Sequence, residues 1–184
     1  MSLEEAAKHL REIQALNQAA SDKDGPRRTA ENQEEYRQWA TFSVAEELYA
    51  IDVMQVKEVL RYTEITPVPG ANEGILGIIN LRGNVVTVVS TRQMFNLPSS
   101  DVNKNTRIVV AELDNQEVIG MLVDGVDEVI NLPLSDIDRA PNLVRDDNTR
   151  QFVQGVCYRD EQLIILLDLV KMLTRYMPET EAEE

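Results

Sequence analysis

Apolar residues recur over positions 39–167 in short runs, each broken after a few residues by a polar or turn-forming pair. The densest case is residues 74–95. There 75–80 and 85–89 are rich in β-branched side chains, and only Leu81-Arg82-Gly83-Asn84 lies between them. Branching at Cβ suits a pleated, packed surface, so the pattern predicts two strands joined by a hairpin turn. Gly83 supplies the positive φ that a short hairpin turn asks for, and Arg82 beside it projects from the tip. Such an arginine is either a solvated turn residue or a contact placed for a partner.

The rest of the chain falls into place around this hairpin. Residues 39–44 and 48–52 read as strands facing each other across Ala45-Glu46-Glu47, followed by a helical turn through 54–59. Residues 65–69 should be extended, because Pro67 and Pro69 bias the residues before them away from the helical region. A helical turn over 91–95 closes the central hairpin, and the polar stretch 97–105 crosses to a second half. In that half 107–113 and 118–123 form a hairpin around Asp114-Asn115, and 126–130 is a further strand. Residues 131–148 read as a long polar connection. The last hairpin joins 151–158 to 163–167 around Arg159-Asp160-Glu161, and 168–176 is a closing helix with Asp168 as its N-cap.

Ahead of this body, Ser2-Leu3-Glu4-Glu5 fits a capping box, and Leu3, Ala6, Leu10, Ile13, Asn17 and Ala20 share one helical seam that Gly25-Pro26 bars from continuing. The expected organisation is a helical extension over 1–24, a polar linker over 25–35, a globular region over 36–177 and an acidic tail over 178–184. The seam is short and rich in alanine, so the helix is not stable alone in water. It is either a partly ordered extension or a helix that binds a partner or itself.

Two segments recur. Residues 53–60 match 123–130, with valine at the first, fourth and seventh places and glutamate at the sixth. Residues 75–95 lie on 153–173 without a gap, placing Gly77 on Gly155, Met94 on Met172 and Ser90 on Asp168. Two collinear matches argue for a duplicated β unit, the first copy over about 36–100 and the second over about 101–177. Each copy holds about five short strands, too many for one flat layer, so two small barrels side by side sharing apolar strands are the expected architecture.

Composition narrows the function. With 32 acidic against 18 basic residues and a formal charge of −14, the surface repels nucleic acid and anionic membranes. The single cysteine, Cys157, excludes a disulfide framework, and no apolar run approaches the roughly 18 residues of a membrane span. A cytoplasmic setting, with no membrane insertion, is expected. Catalytic signatures are missing. The one histidine, His9, lies in the N-terminal extension, Cys157 reads as a buried structural thiol, and no phosphate-cradling glycine loop occurs. Asp124, Asp127 and Glu128 lack calcium-loop spacing and read as a solvated edge. No catalytic, metal or cofactor site is expected, and the chain reads as a binding module.

Met54-Gln55-Val56-Lys57-Glu58-Val59-Leu60, Pro67-Val68-Pro69-Gly70, Gly77-Ile78-Ile79-Asn80-Leu81-Arg82-Gly83, the stretch 120–126 and Gly155-Val156 together resemble the CheW family of bacterial chemotaxis adaptors over about residues 36–177. The resemblance implies a mainly β fold of two intertwined five-stranded SH3-like barrels with short helices. It implies a non-enzymatic adaptor that couples the cytoplasmic tips of methyl-accepting chemoreceptors to the histidine kinase CheA, through the kinase's like-folded regulatory domain. Other CheW-like domains are further candidate partners.

Carried over residue by residue, the resemblance assigns Arg82, Gly77, Val85, Val56 and Glu58 to the surface used for receptor and kinase. A physical account is an apolar groove flanked by Arg82 and Glu58 that takes an amphipathic receptor helix. Val56 and Val85 read equally as strand core.

Three features depart from the family pattern. Ser90 replaces the usual hairpin-ending aspartate, which predicts a weaker cap and leaves Arg92 short of a carboxylate. The first turn, Ala45-Glu46-Glu47, lacks a glycine, and the N-terminal helix is an added extension. A divergent paralogue fits these features. Two other readings remain open: an array assembly or localisation factor that binds the kinase or a polar protein through the N-terminal helix, and a small-molecule-binding barrel.

Overall fold

The computed structural model describes residues 34–139 and 150–176. The expected N-terminal helix, most of the linker, part of the polar connection and the acidic tail lie outside these residues. Every element named below falls within the compact unit that begins at Tyr36. No helix among the described residues is long and apolar enough to cross a membrane.

Ten strands run β1 (Tyr36–Val44), β2 (Glu47–Asp52), β3 (Val56–Arg61), β4 (Ile75–Leu81), β5 (Asn84–Ser90), β6 (Arg107–Glu112), β7 (Val118–Val123), β8 (Gly125–Pro133), β9 (Val153–Arg159) and β10 (Gln162–Leu167). Helices α1 (Thr91–Met94) and α2 (Leu169–Tyr176) follow β5 and β10. The strands form two five-stranded sheets, ordered β8-β1-β2-β10-β9 and β3-β6-β7-β5-β4. Each copy of the sequence repeat gives its first two strands to one sheet and its last three to the other. The copies are therefore intertwined, and the boundary near residue 100 separates repeats without separating sheets.

The register carries the duplication in detail. In the β4–β5 hairpin the ladder slips between Ile75 and Gly77, and in the β9–β10 hairpin it slips between Leu166 and Leu167, where Val153 and Gly155 stand opposite. Both slips leave one extra residue, Leu76 or Gln154, at the same repeat position, a bulge that bends the strand. Among the described residues each sheet then closes on itself through one bridge. Thr66 exchanges two backbone hydrogen bonds of 2.9 Å with Ile78, and Asp138 exchanges bonds of 2.9 and 2.8 Å with Val156. Beside each bridge sits a glycine of the repeat. A Cβ on Gly77 would meet the Thr66 carbonyl oxygen at 2.1 Å, and one on Gly155 the Ile137 Cγ2 at 2.6 Å.

Both faces of the central strands are buried, which explains the nearly continuous apolar runs. Ile108 and Val110 point into the core of the second barrel, whereas Val109 and Ala111 join the core shared between the sheets. In the first sheet, Leu48 and Ala50 face their own barrel with Trp39 and Cys157, while Tyr49 and Ile51 face the shared core. Cys157 is buried, and that burial pushes its thiol pKa up. Each such fully buried aliphatic side chain contributes roughly 1.5–3 kcal/mol.

Three readings from the sequence are corrected. Only Val53–Gln55 form a helical turn, of 3₁₀ type, and Val56 onward is strand, because Val56 and Val59 pair with Ala111 and Val109 of β6. Strand β8 continues through Asn131 to Pro133, pairing with Gln38 back to Tyr36, so the polar connection begins later than expected. Ser90 supplies the cap despite lacking a carboxylate, its Oγ accepting from the Gln93 amide at 3.3 Å, and α1 forms.

Candidate functional site

The β4–β5 turn has two residues, Arg82 and Gly83, with φ of 52° and 84°. Left-handed backbone at both positions matches the twist of the flanking strands, as a two-residue hairpin requires. Asn80 Oδ1 accepts from the Gly83 amide at 2.9 Å, tying the end of the strand to the turn. The guanidinium of Arg82 donates to Glu58 Oε1 at 2.8 Å, with the Arg82 side chain 75% exposed and that of Glu58 19% exposed. Arg82 therefore stands in solvent and Glu58 beneath it steadies one side of the guanidinium. Next to them, Val85 is 67% exposed, an apolar side chain left open at the hairpin tip.

The five residues singled out in the sequence divide. Arg82, Glu58 and Val85 come together at the tip. Val56 is only 3% exposed and belongs to the shared core, and Gly77 is buried against the Thr66 carbonyl. Neither Val56 nor Gly77 reaches the surface. Arg82 and Glu58, expected on the two sides of a groove, bond to each other.

A cleft lies instead where the chain first passes between sheets, from β2 to β3. It has a volume of about 480 Å³ and gathers Met54 and Gln55 from the 3₁₀ turn, Leu113 and Asp114 after β6, and Asp168 and Leu169 at the start of α2. Buried Leu113 and Leu169 give it an apolar component, and Met54 beside them is 65% exposed. Carboxylates dominate its polar lining. Asp52, Glu112, Asp114 and Asp168 line it together with Arg37, with Asp52 also accepting from the Met54 amide at 2.9 Å and Glu112 paired with Lys57 at 3.2 Å.

The second passage between sheets, from β7 to β8, is built from the other copy of the repeat and is closed. Arg92 donates to both oxygens of Asp124, at 3.0 and 2.6 Å, and to the Pro98 carbonyl at 2.8 Å, while the Ala45 amide donates to Asp124 at 2.7 Å. Burial alone would raise the Asp124 carboxyl, but the hydrogen bonds from Arg92 and Ala45 and the guanidinium charge together hold it below its ordinary value. Asp124 is thus an ion-paired crosslink and not the solvated edge expected from its neighbours. It also bonds the amide of Ala45, the first residue of the glycine-free turn, which sits at a φ of 50°.

In the repeat alignment Asp124 corresponds to Met54, and Arg92 to Val170, which is also exposed. Where one passage is sealed by charge, the other presents apolar side chains. That substitution was visible in the aligned repeats, and Met54 was the residue that sequence reasoning passed over. Among the described residues no group of three histidine, cysteine or acidic side chains is placed to hold a metal.

A family model described as the CheW-like domain matches residues 38–177. The chain is 31% identical over 145 residues to the chemotaxis protein CheW of Helicobacter pylori, covering 79% of this chain and 86% of that protein. It is 34% identical over 134 residues to the chemotaxis protein CheW of Bacillus subtilis, covering 73% and 85%. Among solved structures it is similar to the scaffolding protein TtCheW from Thermoanaerobacter tengcongensis, with a TM-score of 0.69 and 32% identity over 82% of this chain and 97% of that one.

Proposed function

The chain belongs to the CheW-like domain family, and from that premise we propose that it is a non-catalytic signalling adaptor of the cytoplasm, coupling chemoreceptors to the histidine kinase CheA. An adaptor that holds two partners at once needs two separate surfaces. The hairpin tip, with Arg82, Glu58 and Val85, meets the kinase's regulatory domain, and the cleft beside Met54 seats a receptor helix. A concave strip with apolar and acidic lining suits an amphipathic helix carrying basic residues beside its apolar face. The convex tip offers a charge for register and a valine for area.

The observation that carries the reading is the exposure of Arg82 and Val85 together on a rigid two-residue turn. The test is co-sedimentation of the full chain with a receptor cytoplasmic fragment and with the kinase, each measured separately. Arg82→Asp should weaken kinase binding about tenfold or more with the melting temperature nearly unchanged, the size expected when a charge at an interface is reversed. Met54→Asp should weaken receptor binding instead. Unchanged kinase binding by Arg82→Asp would remove the tip from the interface. Loss of both activities on deleting residues 1–35 would favour an assembly or localisation factor acting through the N-terminal extension.

A further inference from the structure

Arg82 has a left-handed backbone, a conformation that a branched-at-nothing glycine tolerates and an arginine resists. The repeat shows that an amide side chain is not needed to hold it. The β9–β10 hairpin is the counterpart of the β4–β5 hairpin and closes with the same turn, Asp160 and Glu161 having φ of 50° and 64°. Its residue at the position of Asn80 is Tyr158, which is exposed and makes no side-chain hydrogen bond among the described residues. The turn therefore forms without an amide side chain at that place. The bond from the Gly83 amide to Asn80 Oδ1 is surplus to hairpin formation and present only in the hairpin that carries the arginine.

We propose that Asn80 is a positioning residue for docking: by accepting from the Gly83 amide it fixes the peptide that follows Arg82, so that the guanidinium is presented in one orientation, braced on its other side by Glu58. This rests on the tip being the docking surface argued above. A preorganised arginine loses less freedom on binding, so the gain is in affinity and not in fold stability.

The test uses the ¹⁵N-labelled full chain with Asn80→Ala, Asn80→Tyr, which copies the counterpart hairpin, and Asn80→Asp, which keeps the acceptor. Three quantities are measured: exchange of the Gly83 amide, relaxation of the Arg82 Nε–H, and affinity for the kinase regulatory domain. The alanine and tyrosine variants should melt within a few degrees of wild type, exchange the Gly83 amide about tenfold faster and bind about fivefold more weakly, the scale of one hydrogen bond lost. Asn80→Asp should restore both.

Unchanged Gly83 exchange in Asn80→Ala, unchanged binding despite faster exchange, or loss of the fold in Asn80→Tyr would each overturn the role of Asn80. If Arg82→Asp itself binds normally, the docking surface and the role of Asn80 fall together. If Arg82→Asp binds weakly while the Asn80 variants behave as wild type, only the role of Asn80 falls.

Discussion

Gly77 has no room for a side chain, since its φ of 150° and the Thr66 carbonyl at 2.1 Å from any Cβ both exclude one. Gly77→Ala should therefore lower stability by about 3 kcal/mol or more, through backbone strain and a backbone clash, measured by chemical denaturation. A loss of binding in that variant would follow from the fold and say nothing of contact. The family resemblance had assigned Gly77 to the interface, and a motif match cannot tell a glycine that faces a partner from one that faces its own backbone.

Val56 and Val85 make the same point in opposite directions. Both are strand valines of one pattern, yet one is sealed and the other open, and the difference lies in which strands happen to cover them.

Asp124 gives a prediction in acid. A carboxyl held below its ordinary value of 3.8 stabilises the fold above that pH and loses the contribution as pH falls through the lower native value. Asp124→Asn should cost about 1–3 kcal/mol at neutral pH, as expected for hydrogen bonds to a charged group. The gap between wild type and variant should close below about pH 4. A constant gap from pH 7 to pH 3 would show that the pair is not what the variant removes.

At the scale of elements, each closing bridge is one isolated residue pair, joining Thr66 or Asp138, outside the named strands, to a residue of β4 or β9. Thr66→Pro removes the amide that donates to Ile78 and should cost about 1–3 kcal/mol, the penalty of leaving a backbone acceptor unmet. Faster exchange at the Ile78 amide, whose acceptor is the Thr66 carbonyl, would locate the damage at the seam of the second barrel.

Local pattern recovered the hairpins well. The central hairpin, the β6–β7 hairpin and the Asp168-capped helix stand where β-branched runs and turn residues put them. What escaped is nonlocal. Nothing in Asn131-Leu132-Pro133 signals a strand until Tyr36, Arg37 and Gln38 lie alongside, far away in sequence. Likewise the cap and partner missing at Ser90 were judged from one stretch, whereas the carboxylate that satisfies Arg92 arrives from the other copy of the repeat.

On the scale of the whole molecule, the duplication was legible in the repeat itself, whereas the intertwining came only from the family resemblance, because a repeat alignment gives correspondence between copies without saying which copy completes which sheet. That exchange of strands makes a prediction about fragments. Residues 53–123 hold all the strands of the second sheet, together with Thr66, whereas residues 36–100 hold parts of both sheets and complete neither. The first fragment should melt cooperatively by circular dichroism and the second should not; the reverse order would contradict the pairing. The intertwining bears also on how the fold came to be autonomous. A polypeptide with one copy could satisfy its strand edges only by finding a twin, and its integrity would rise and fall with the amount synthesised. The short covalent path between α1 and β6 abolishes that mass-action dependence, so a scarce chain is as well folded as an abundant one.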